Sequence, residues 1–264
     1  MPLVFAAITP HPPIIVPGVG SNTDRERCGA TIAAMEKLAG DLAAAQPETI
    51  VIISPHAPMD PELFTLNAAP ELTGQLDEFG ASLPRWKTTT DTELLERLSR
   101  ELKKQDRAAR EIDSPRLDHG SVVPLSFFAA SLSAAKILSL SYTLLPLSAH
   151  VRFGAILGRV IKSSPRRVAL IASGDLSHCL TESAPGGFSP VAQSFDDKLV
   201  NIVSRADWPA LLRLDPTITE AAGECGLRSI VILSGALKDM TARTEVLSYE
   251  GPFGVGYLVA NFKF

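Results

Sequence analysis

The apolar positions of this chain fall into short unbroken runs alternating with amphipathic stretches, and two runs end in the same way. Leu3-Val4-Phe5-Ala6-Ala7-Ile8 leads into Thr9-Pro10-His11-Pro12-Pro13, and Thr49-Ile50-Val51-Ile52-Ile53 leads into Ser54-Pro55-His56-Ala57-Pro58. Runs without polar alternation predict strands covered on both faces, as in a parallel sheet between layers of helix. Proline cannot donate to a ladder and restrains the residue before it, so each strand is predicted to stop where its histidine begins. A third run, residues 167–172, ends in Ser173-Gly174-Asp175-Leu176-Ser177-His178. Three of the five histidines therefore follow predicted strands, where open α/β sheets bind their ligands.

Helical periodicity fills the intervals. Residues 24–45 carry Cys28, Ile32, Met35, Leu38 and Leu42 on one stripe, and residues 91–104 carry Leu94, Leu95, Leu98 and Leu102, with Thr90 and Glu93 as a capping box. Further helices are predicted over 121–132, 150–161, 191–204, 208–214 and 227–237, with His119 on the loop before the first and His150 opening the second. Strands are expected over 63–68, 137–145, 244–249 and 254–262. Residues 70–83 read as irregular or hairpin-like. The first two strands and their helix form a β-loop-α-β unit with a right-handed crossover. No repeat, linker or change of composition divides the chain. The prediction is one α/β domain over residues 1–264, with a central, mostly parallel or mixed sheet flanked by helices.

Composition changes this picture little. A hydrophobic content of 45%, 20% charged residues and a net charge of −4 are those of an ordinary globular domain. No clustered basic face points to nucleic acid or an anionic membrane, and no apolar run reaches the roughly 18 residues of a membrane span. The N-terminus lacks the pattern of a signal peptide, so a cytoplasmic location is expected. Three cysteines, Cys28, Cys179 and Cys225, form no disulfide framework, and Cys28 belongs to a core stripe.

Histidines gathered at one sheet edge suit a transition metal. His11 and His56 are the first two candidate ligands. Glu224 and Cys225 precede the helix over 227–237 and compete for third place, Glu224 giving a harder site and Cys225 a softer one. His178 is the candidate acid-base group and Asp175 its orienting partner or a turn cap. His119 is a second candidate catalytic residue, and His150 has the weakest case.

Thr-Pro-His11-Pro-Pro, Ser-Pro-His56-Ala-Pro, Asp118-His119-Gly-Ser-Val-Val-Pro-Leu125 and Ser173-Gly-Asp-Leu-Ser-His178, in this order, resemble the class III extradiol ring-cleaving dioxygenases, the LigB-like superfamily. The likeness extends through Phe195-Asp196 and Gly235-Ala236-Leu237 to the C-terminal strands. It implies a non-haem Fe(II) site with His11 and His56 as ligands, a glutamate for which Glu224 is the nearest candidate, His178 as acid-base residue, and His119 in the active site. The substrates implied are a small aromatic diol and O2. Gly223-Glu224-Cys225-Gly226 and the ending Tyr249-Glu-Gly-Pro-Phe-Gly-Val-Gly-Tyr257 are closer to the Memo-like branch, where a cysteine is similar in position to Cys225. That branch implies metal binding with a redox or partner-binding role. A Zn(II) hydrolase, or another divalent metal, also fits histidines with a carboxylate. A homo-oligomer would use the C-terminal edge strand or an apolar helix.

Overall fold

The computed structural model describes residues 2–82, 84–105 and 109–264. The unbroken apolar runs form the centre of one eight-stranded sheet. Its strands are β1 (Leu3–Thr9), β2 (Thr49–Ile53), β3 (Phe64–Asn67), β6 (Ala109–Ile112), β7 (Lys136–Leu140), β8 (Val168–Ser173), β9 (Arg243–Glu250) and β10 (Tyr257–Lys263), in the order β6-β3-β7-β2-β8-β1-β10-β9. The remaining strands, β4 (Glu71–Gln75) and β5 (Arg85–Thr89), form a separate hairpin. The central quartet β7-β2-β8-β1 is parallel, and β10 and β9 continue the sheet antiparallel on one side. This is the mixed α/β architecture predicted.

Each central strand is buried on both faces because helices cover both. Val51, Ile53, Leu138, Leu170 and Ala172 face the layer holding the helices Leu147–Lys162, Ala192–Arg205 and Leu227–Leu237. Ile50, Ile52, Ala169 and Ile171 face the layer holding Gly29–Ala45 and His119–Phe127. Each fully buried Leu or Ile contributes about 1.5–3 kcal/mol. In the first layer, Leu147–Lys162 and Leu227–Leu237 approach so closely that a Cβ on Gly158 would lie 2.4 Å from the carbonyl oxygen of Ala236. Only the absence of a side chain permits that contact.

Several boundaries differ from those predicted. The helix over 24–45 is two: Ser21 caps Asn22–Glu26 through a reciprocal bond with Asp24, and the chain bends at Cys28 before Gly29–Ala45. Cys28 is buried, as its stripe implied. Asp91, not Thr90, caps Thr92–Lys104, because its carboxylate accepts from Leu94 N–H. The Thr90 hydroxyl instead donates to the carbonyl of Ala69 at 2.5 Å. His119 is the first residue of its helix, which Asp118 caps, rather than part of a loop. His150 lies in the first turn of Leu147–Lys162, fully buried beside Phe64 and Tyr142. Its Nδ1 and Nε2 face the carbonyls of Pro146 and Thr143. β6 and the helix Pro216–Ala222 were not predicted, and the hairpin partner of β4 lies past residue 83. Leu83 itself is outside the described residues. Among those described, no helix is long and apolar enough to cross a membrane.

The loop after β8 is pinned by a carboxylate of the helix Ala192–Arg205 and a tyrosine of β9. Buried Asp196 accepts from Ser177 N–H at 2.9 Å and from the Tyr249 hydroxyl at 2.7 Å. Burial pushes its carboxyl up to about 6.

Two outcomes follow from this packing. Gly158→Ala is expected to lower the unfolding free energy by about 1–3 kcal/mol in urea titration, since the intruding methyl meets backbone. Asp196 is held above its unfolded pKa of 3.8, so its contribution is full below about pH 4 and lost as pH rises through about 6. Asp196→Asn is therefore expected to remove a decline in stability on the order of 2–3 kcal/mol across that window, read as chemical denaturation midpoints at several pH values.

Candidate metal centre

The register of the parallel strands brings the two Pro-His turns together. β8 lies between β1 and β2, with Thr9 beside Ser173 and Ile53 beside Ala172. The chain leaves all three strands at one edge, so His11, His56 and the segment from Ser173 to His178 share a single crevice. The Nε2 atoms of His11 and His56 are 3.1 Å apart, their rings edge to face. Cys225, on the turn before Leu227–Leu237, places its Sγ 3.7 Å from His11 Nε2. The ligand atoms of His11, His56 and Cys225 all lie within 4.8 Å of one another.

Each imidazole is held from behind. His11 is buried. Its backbone N–H donates to Asp175 Oδ1 at 2.9 Å, and its Nδ1 is 3.0 Å from Ser173 Oγ. The backbone N–H of His56 donates to Ser54 Oγ, whose own hydrogen goes to Asp118 at 2.5 Å. His119 stacks on His56 with ring centroids 4.2 Å apart and meets Phe79 edge to face at 5.2 Å. His178 donates from Nδ1 to the Gly223 carbonyl at 2.7 Å, leaving Nε2 bare and 4.0 Å from Asp175 Oδ2. His56 is exposed and His178 half-buried, while His11 is buried, so the crevice is closed at its base by His11 and accessible from above.

The electrostatics favour neutral rings. Burial holds His11 well below the ordinary histidine range, and the charges of His56, His119 and His178 would lower it further. Desolvation and then His119 lower His56 to about 4, and desolvation also lowers His119 and His178. Burial pushes Asp175 up to about 7 and the Cys225 thiol well above its usual value. Two neutral imidazoles with converging nitrogens beside a thiol form a donor set for a borderline or soft transition metal. These residues fit such an ion.

Of the candidate residues, His11, His56, Cys225, Asp175, His178 and His119 meet in this crevice. Glu224 does not join them. Its Oε2 accepts from Leu227 N–H at 2.5 Å, its burial pushes it up to about 7, and it borders a separate groove with Leu144, Leu214 and Arg228. The carboxylate serves the helix N-terminus, where the dipole and free N–H groups favour it. Sequence reasoning missed Ser54, Ser173 and Gly120 as supports of the histidines. Their signal was present in the small residues that end β2 and β8, which admit a close neighbour.

The chain resembles known proteins in sequence and in fold. The Clostridium acetobutylicum protein CA_C1420 is 33% identical over 265 residues, covering 97% of this chain and 56% of its own length, so the chain spans about half of that relative. The crystal structure of an uncharacterized protein, JW3007, from Escherichia coli K12 superposes with a TM-score of 0.69 at 17% identity, covering 99% of this chain and all of that one. This second likeness is one of fold. Residues 5–260 match the family described as the catalytic LigB subunit of aromatic ring-opening dioxygenase, and the chain belongs to that family.

Proposed function

We propose that this chain is a metal-dependent redox protein of the LigB family, with a Memo-like centre built from His11, His56 and Cys225. The observation that carries this reading is that the thiol of Cys225, and not the carboxylate of Glu224, stands beside the paired imidazole nitrogens. Iron is the first candidate metal, with Zn(II) or another divalent ion suited to the same donors. A bound transition ion would supply Lewis acidity and, for a redox-active metal, one-electron chemistry.

The surrounding residues have their own tasks. His178 presents a bare Nε2 to the open crevice and accepts a proton from a substrate hydroxyl at near-neutral pH. Asp175 anchors the His11 backbone and faces His178 Nε2, where its carboxyl, once ionised, would steady a protonated ring. His119 and Phe79 form one wall, an aromatic surface fitted to a flat ligand.

A second reading, extradiol opening of a catecholic diol with O2, is supported by the family match and by the half-buried His178, whose Nε2 is bare. Metal content and turnover separate the two. Protein purified without air is expected to carry about one ion per chain, with affinity reduced at least tenfold in His11→Ala and Cys225→Ala and unchanged in Glu224→Ala, measured by elemental analysis and metal titration. Retention of metal in Cys225→Ala with loss in Glu224→Ala would overturn the proposed ligand set. A coloured ring-opened product from any catechol, abolished in His178→Ala, would establish the second reading.

A further inference from the structure

One carbonyl beneath the crevice lacks its ordinary helical partner. In the helix His119–Phe127 the C=O of Gly120 would accept from the N–H four residues on, but that residue is Pro124. Proline has no N–H, and its ring crowds the carbonyl it would otherwise bond. Gly120 and Pro124 are both buried, so water does not supply the missing donor. The donor comes from the end of β8: Ser173 Oγ gives its hydrogen to Gly120 O at 2.5 Å.

That bond has a consequence one residue further on. A serine hydroxyl has a single hydrogen. With it committed to Gly120, Ser173 Oγ meets His11 Nδ1, 3.0 Å away, only as an acceptor. His11 must then carry its hydrogen on Nδ1 and leave Nε2 with a free lone pair. Nε2 is the atom that faces His56 Nε2 and Cys225 Sγ. Were Ser173 to turn its hydrogen toward His11, the buried Gly120 carbonyl would lose its donor, an unfavourable exchange. The approach of this turn to the site is itself tight. A Cβ on Gly120 would lie 2.4 Å from Ser54 Oγ and 3.3 Å from His56 Cδ2.

We propose that Pro124, Gly120 and Ser173 form a relay that fixes the tautomer of His11, with Ser173 the positioning residue and Pro124 the cause of its orientation. The relay turns a helix-breaking residue into a device that aims one imidazole lone pair into the crevice. Its value for metal binding rests on the function proposed above, but the tautomer does not.

The test is long-range proton–nitrogen NMR of the histidine rings in the metal-free protein near neutral pH, with His11 assigned by its loss in His11→Gln. Wild-type His11 is expected to show a protonated Nδ1 and a bare Nε2; the opposite tautomer would overturn the relay without recourse to any variant. Ser173→Ala is expected to raise the Nε2–H population and to weaken Zn(II) binding by roughly 10–100-fold, and Ser173→Thr, which keeps the hydroxyl, to restore both. Pro124→Ala returns an N–H to Gly120 and frees the Ser173 hydrogen. It is expected to move the tautomer in the same direction as Ser173→Ala while helix content by circular dichroism is retained, a combination that a purely structural role would not produce. An unchanged tautomer in folded Ser173→Ala and Pro124→Ala would also overturn the relay. The expected tautomer in a protein that binds no metal would uphold the relay and count against the metal centre alone.

Discussion

Two imidazole nitrogens 3.1 Å apart cannot both carry positive charge, and most of the site answers to that constraint. Like charges at this separation repel strongly wherever water is partly excluded. Burial of His11 and the ring of neighbouring histidines keep the pair neutral, which is the state in which imidazole donates a lone pair. The pairing is imposed by the sheet. β8 runs between β1 and β2 in parallel register, so turns separated by 45 residues in the chain reach the same edge. The apolar layers on both faces keep that register, because a slip of one residue would exchange the faces of every side chain.

A site assembled in this way separates its functions by element. The turn after β1 supplies the buried His11, the turn after β2 the exposed His56, and the loop after β8 the Asp175 and His178 pair. Helix termini complete it. The N-terminal turn of His119–Phe127 supports both paired histidines, through Asp118 to Ser54 and through Gly120 to Ser173. The turn before Leu227–Leu237 brings in Cys225. Asp196 and Tyr249 hold the Ser177 end of the β8 loop from outside the crevice, so the position of His178 depends on contacts made by the C-terminal strands.

Much of this was legible in the chain. Unbroken apolar runs ending in Pro-His located β1 and β2 within a residue, and placed His11 and His56 at the carboxyl ends of parallel strands. What the sequence could not decide was which of two adjacent residues enters the crevice. Glu224 and Cys225 follow Gly223, whose positive φ of 63° ends the preceding helix, and the turn sends their side chains to different places. No periodicity encodes that choice. β6 escaped notice because Arg110 and Glu111 interrupt its apolar pattern at the sheet edge, and the break at Cys28 was hidden by a stripe that continues across it. The role of Pro124 was hidden for a different reason: its partner, Ser173, is distant in sequence, and only the fold places the hydroxyl under the freed carbonyl.

In the proposed centre the Cys225 thiol completes the pair of imidazoles. X-ray absorption spectroscopy at the metal edge of protein purified without air tests it directly. The expected result is a scattering shell containing one sulfur, at a length typical of a metal–thiolate bond, together with imidazole nitrogens, and loss of the sulfur contribution in Cys225→Ser. A shell of nitrogen and oxygen alone in the unaltered protein would contradict it and return the third position to a carboxylate.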